Sequence, residues 1–125
     1  IVVVSCVIGT NTAADDGGGL YIDKESVPAL QELVVVGNQA GDKGGGLYIE
    51  DSTGTVESCI FDGNRAVDGA GVYCKDENPR ISGSTFIRNS ASEDGGGMRC
   101  NDCEPVISNS VFTANSAADD GGADG

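Results

Sequence analysis

The stretch Asp15-Asp16-Gly17-Gly18-Gly19-Leu20-Tyr21-Ile22 returns as Asp42-Lys43-Gly44-Gly45-Gly46-Leu47-Tyr48-Ile49. Acidic residues set beside three glycines and followed by an apolar run occur twice, so internal repetition is the first thing to test. Aligned on asparagine, Asn11, Asn38, Asn64, Asn89 and Asn115 are spaced 27, 26, 25 and 26 residues apart. Alanine stands two residues after each of them, at Ala13, Ala40, Ala66, Ala91 and Ala117. Three residues before each lies Ile8, Val35, Phe61, Phe86 or Phe112, and eight before lies Val3, Leu30, Val56, Ile81 or Ile107. After the glycines, Leu20, Leu47, Val72 and Met98 align, and two residues further Ile22, Ile49, Cys74 and Cys100.

Inward apolar positions in this pattern recur mostly at a spacing of two, the period of a strand and not of a helix. Glycine and β-branched residues oppose helix as well. Each repeat therefore reads as one coil of three short strands, in the first copy Val3 to Ile8, Gly19 to Ile22, and Val27 to Leu30. Coils stacked at the strand spacing of about 4.8 Å pile like residues into columns. The handedness of parallel crossovers makes the expected fold an all-β, right-handed parallel β-helix, about five coils of roughly 26 residues. Residues 1–125 read as a single repeat domain. The start without methionine and the stop at "DDGGADG" in mid-pattern read as a segment of a longer solenoid.

An asparagine at a turn inside a solenoid can donate to and accept from its copies one coil above and below. Asn11, Asn38, Asn64, Asn89 and Asn115 are thus expected to form a structural ladder. None has Ser or Thr two residues on, which removes the glycosylation reading. The glycines permit positive φ and close backbone approach at the corner, and no Gly-Lys-Ser/Thr follows to suggest a phosphate loop.

The copies "FDGN" (Phe61 to Asn64), "FIRN" (Phe86 to Asn89) and "FTAN" (Phe112 to Asn115), with "GAGV" and "GGGM" downstream, resemble the FxxN and GGA(I/L/V) repeats of the chlamydial polymorphic outer-membrane proteins. The first two copies depart from it as "IGTN" and "VVGN". What the resemblance implies is a secreted or surface-exposed β-helix of adhesive or structural character.

Composition agrees with such a scaffold: 20 glycines and only 5% aromatics leave little to fill a thick globular core. A net charge of -13 repels nucleic acid and anionic membranes. No apolar run approaches the roughly 20 residues of a membrane helix, so membrane insertion is not expected. Catalysis is not expected either, because there is no histidine, the seven cationic residues scatter over different columns, and no inserted loop builds a cleft wall. The competing reading is a carbohydrate-active or carbohydrate-binding β-helix, of the lyase, hydrolase or epimerase kind, with its site outside these residues or on a tyrosine face.

Several sets of residues are candidates for chemistry or contact. Tyr21, Tyr48 and Tyr73 form an outward row that either shields the sheet or binds neutral glycans. Val7, Val34, Ile60, Thr85 and Val111 form a flat β-branched strip suited to contact with another surface protein or with a second copy. Asp15, Asp16, Asp42, Asp68, Glu93, Asp94, Asp119 and Asp120 read as one stacked acidic position, either solvated or bridged by Ca²⁺ through carboxylate oxygens. A second acidic column is Asp51, Asp76 and Asp102. Cys6 and Cys59 share a column two coils apart, too far for a disulfide, and read as small buried side chains. Cys74, Cys100 and Cys103 are the candidates for a disulfide whose pairing spacing alone does not choose. Four zinc ligands are not available.

Overall fold

The computed structural model describes residues 2–23, 27–76 and 78–119. The first coil holds β1 (Val2–Val4), β2 (Val7–Gly9), β3 (Thr12–Ala13) and β4 (Leu20–Ile22), and the second β5 (Ala29–Gln31), β6 (Val34–Val36), β7 (Gln39–Ala40) and β8 (Leu47–Glu50). The third holds β9 (Thr55–Glu57), β10 (Ile60–Asp62), β11 (Arg65–Ala66) and β12 (Val72–Lys75). The fourth holds β13 (Arg80–Ser82), β14 (Thr85–Ile87), β15 (Ser90–Ala91) and β16 (Met98–Asn101), and β17 (Val106–Ser108), β18 (Val111–Thr113) and β19 (Ser116–Ala117) begin a fifth. Every strand pairs in parallel with its copy in the next coil, giving three five-stranded sheets and one of four strands.

Each of the first four coils has four strands where the sequence suggests three. The expected strand from Val3 to Ile8 is broken by Ser5, which sits at φ 53°. Its copies Glu32, Ser58, Gly83 and Asn109 lie at φ 54°, 53°, 55° and 50°, so a single left-handed residue turns the chain from one sheet to the next in all five coils. The two-residue strands beside the asparagines were not foreseen. The expected third strand from Val27 to Leu30 opens the next coil instead, since Ala29–Gln31 pairs with Val2–Val4.

Inward side chains of these strands make one continuous core. Val3, Leu30, Val56 and Ile81 run along one wall, and Leu20, Leu47, Val72 and Met98 along another. Phe61 and Phe86 are fully buried, with ring centroids 5.0 Å apart, and Phe86 stacks on Phe112 at 4.4 Å. Full burial of each ring contributes about 3 kcal/mol. Stacking adds roughly 1 kcal/mol per pair. A satellite cluster of Ala40, Ala66, Ala70 and Ala91 closes the narrow corner beside the asparagines.

Candidate functional site

The asparagine column is a hydrogen-bonded ladder. Asn64 donates from its backbone N and from Nδ2 to Asn89 Oδ1, both at 3.0 Å, and from Nδ2 to the Val35 carbonyl at 2.9 Å. Its own Oδ1 accepts from Asn38 N at 3.0 Å and Asn38 Nδ2 at 3.1 Å. The same bonds join Asn11 to Asn38 and Asn89 to Asn115. Among the described residues no buried side-chain nitrogen or oxygen lacks a partner, so the ladder satisfies the turn it lines.

Tyr21, Tyr48 and Tyr73 stand in register, with Arg99 next in the row. Their rings stack at 4.9 and 5.5 Å and within 8° of parallel. Exposure falls from 51% at Tyr21 to 4% at Tyr48 and 2% at Tyr73. Of the two readings of this row, the burial of Tyr48 and Tyr73 favours shielding of the sheet over a stacking platform for sugars, and Tyr21 alone presents an exposed ring. Lys43 Nζ lies 5.7 Å from the Tyr73 ring centroid. The Tyr48 hydroxyl donates to Glu50 at 2.6 Å, and burial followed by that carboxylate pushes its pKa well above the usual tyrosine value.

The acids do not form one stack. Immediately before the left-handed glycines Gly17, Gly44, Gly69 and Gly95 come Asp16, Lys43, Asp68 and Asp94, while Asp15, Asp42, Val67 and Glu93 stand one residue earlier. Lys43 stands in backbone register with Asp68 and pairs its ammonium with Asp42 at 3.6 Å, so a cation interrupts one series, and Val67 interrupts the other. The third coil is one residue short here, and the amides of Val67 and Asp68 both donate to the Asp42 carbonyl, at 2.8 and 3.1 Å. Asp16 and Asp68 accept from the backbone amides of Lys43 and Asp94 in the next coil, at 3.1 and 3.2 Å. Burial raises the Asp16 pKa, and the Lys43 amide opposes that rise. Asp94 faces Arg99 at 3.8 Å, the Asp119 amide donates to the Glu93 carbonyl, and Asp120 lies outside the described residues. The described carboxylates that do converge, within 4.8 Å, are Glu50, Asp51 and Asp76. Glu50 is absent from the expected set because it ends strand β8 instead of flanking the glycines, and it already faces Tyr48 and, at 3.9 Å, Lys75.

Val7, Val34, Ile60, Thr85 and Val111 are paired in register across one sheet. Val7, Ile60 and Val111 are 73%, 41% and 55% exposed, and Val34 and Thr85 are half-buried. Beside Ile60, Asp62 is neutralised by a bidentate Arg88, with Nη2 to Oδ2 at 2.6 Å and Nε to Oδ1 at 3.1 Å. A shallow groove of about 310 Å³ runs along the alanine corner, lined by Gln39, Arg65, Ser90 and Ser92. Strands of two residues show no alternation, so nothing in the sequence singles these groups out.

Cys59 is buried, whereas Cys6 is exposed, contrary to expectation. Cys74 pairs in register with Cys100, and Cys103 reaches Cys74 from the following turn, Sγ to Sγ 2.9 Å.

A family described as the right handed beta helix region matches residues 1–123. The chain belongs to this family. Membership of this family makes the parallel β-helix a right-handed one. No curated protein and no solved structure matches the chain.

Proposed function

We propose that this β-helix is a non-catalytic extracellular structural or adhesive module that makes a lateral contact through its flat apolar sheet, with a second copy as the partner. The carrying observation is the Val7, Val34, Ile60, Thr85 and Val111 strip, in register over five strands and exposed at three of them. Isolated apolar residues on a surface are ordinary, but a contiguous strip on a flat sheet has the character of a contact face. The non-catalytic part is supported by the absence of histidine from the sequence and by repeats whose length stays between 25 and 27 residues. The extracellular part is supported by the resemblance of the FxxN and glycine motifs to polymorphic outer-membrane proteins.

The test is sedimentation velocity over a range of concentrations, comparing the chain with its Ile60→Lys, Val111→Lys variant. The chain should self-associate, more strongly as salt screens its charge of -13. The variant should stay monomeric with an unchanged melting midpoint. A chain that remains monomeric throughout overturns the reading.

A second reading rests on the groove. The Gln39 amide, the Arg65 guanidinium and the Ser90 and Ser92 hydroxyls offer hydrogen bonds of the type that hold a glycan. Glycan-array binding lost in Arg65→Ala would favour it over the lateral contact.

A further inference from the structure

Strand β12 ends at Lys75 and β16 at Asn101, and their register sets Cys74 opposite Cys100, both facing the core. Beyond β16, Asp102 adopts φ 55° and turns the chain inward. Asp51 makes the same turn in the second coil at φ 52°, and there the next residue, Ser52, is buried with its hydroxyl donating to the Glu50 carbonyl at 3.0 Å. In the fourth coil the residue after the turn is Cys103. It packs against the core, with its Sγ 2.9 Å from Cys74 Sγ and 3.3 Å from the Cys74 carbonyl oxygen.

Two partners for Cys74 can be compared on geometry. In-register neighbours on parallel strands point the same way, so their Cβ atoms keep the strand separation of about 4.7–4.9 Å. A disulfide wants Cβ atoms roughly 3.5–4.5 Å apart. Cys100 also reaches Cys74 through its side chain, but on a parallel vector whose Cβ separation exceeds that range. Cys103 approaches from the turn along a different direction, with its sulfur 2.9 Å from Cys74 Sγ.

We propose that Cys74 and Cys103 form a disulfide in an oxidising compartment, fastening the fourth coil to the third, while Cys100 stays a thiol. The oxidant is a low-molecular-weight disulfide. The Cys103 thiolate attacks one of its sulfurs and expels a thiolate. Cys74 then loses its proton and attacks Cys103 Sγ in the mixed disulfide, expelling the second thiolate. Two protein thiols lose two electrons and two protons, and the external disulfide becomes two thiols. Cys103 is the half-buried and Cys74 the buried member of the pair, which suits the first to meet the oxidant and the second to resolve it. Burial raises the Cys103 thiol, with the hydrogen bond to Cys74 opposing that rise, while Cys100, burial and Cys103 together push the Cys74 thiol far above its usual range.

The bond would close a loop between residues 29 apart, which restricts the unfolded chain. The melting midpoint should rise on the order of 10 °C in the oxidised protein. The whole chain and its Cys74→Ser, Cys100→Ser and Cys103→Ser variants would be incubated with oxidised or reduced glutathione. Mass spectrometry under non-reducing conditions would then be paired with thermal melting. The chain and Cys100→Ser should each lose two hydrogens and gain the same thermal shift, reversed by reductant. Cys74→Ser and Cys103→Ser should show neither, while melting cooperatively under reducing conditions. Retention of the cross-link in Cys103→Ser, its loss in Cys100→Ser, or an oxidised wild-type chain with no cross-link overturns the proposal.

Discussion

Asn64 holds three coils at once: its Nδ2 reaches Val35 in the second and Asn89 in the fourth, and its Oδ1 takes both donors of Asn38. Leucine fills a similar volume and supplies none of this. Asn64→Leu strands the Asn38 amide and the Val35 carbonyl without water, each at about 1–3 kcal/mol. A total loss of about 3 kcal/mol or more is expected by denaturant unfolding. Thr53→Val, on an exposed loop residue, should stay within about 0.5 kcal/mol. Equal midpoints for the two variants would remove the ladder from the list of stabilising devices. Recurrence alone marked these asparagines, because an inward turn has unpaired backbone groups whatever surrounds it. For Tyr48 and Tyr73 recurrence showed the row but not its burial: Tyr48 lies between the rings of Tyr21 and Tyr73, and Lys43 sits over the Tyr73 ring.

Single left-handed residues separate the short strands. At the first corner they are Ser5, Glu32, Ser58, Gly83 and Asn109, types with no common sequence signal, so the break in Val3 to Ile8 was invisible. Two glycines show that this element depends on distinct constraints. Gly63, at φ 66°, has nothing within 4 Å of an added Cβ, so Gly63→Ala meets only the left-handed penalty of about 1 kcal/mol. A Cβ on Gly46 would lie 2.6 Å from the Gly71 carbonyl oxygen and 3.1 Å from Phe61 Cδ2. Those atoms belong to the next coil and its core, so Gly46→Ala should cost about 2–3 kcal/mol. Chemical denaturation of both variants checks the order, and a larger loss at Gly63 would mean that coil spacing is not set by the glycine column.

Buried acids of the thiol and phenol kind set the alkaline limit of the whole molecule. Burial raises the thiol of Cys59, Cys100 and burial raise Cys74, burial raises Cys103, and burial with Glu50 raises Tyr48. Each group keeps its proton longer folded than unfolded. Its contribution is therefore complete below the unfolded pKa and is lost as pH climbs from there toward the folded value. Unfolded thiols ionise near about 8.5 and tyrosine near about 10. Stability by urea unfolding should be flat near neutrality, fall from about pH 8.5, and steepen above about pH 10. Tyr48→Phe should lessen the steepening alone. A profile level to about pH 11 would contradict the buried state of these groups.

The sequence by itself determined the period, the inward apolar columns, the asparagine ladder and the parallel solenoid, because stacking forces equivalent residues into the same environment and leaves that constraint written at every repeat. Tertiary structure alone decided what depends on one residue of register or on contacts between unlike residues. The missing residue in the third coil puts Val67 where an acid was expected and joins Val67 and Asp68 on one carbonyl. The turn at Asp102, not the strand register that pairs Cys74 with Cys100, brings the Cys103 sulfur to Cys74. Periodicity records which positions are alike, and side-chain direction at a corner is set by a backbone angle that many residue types can adopt.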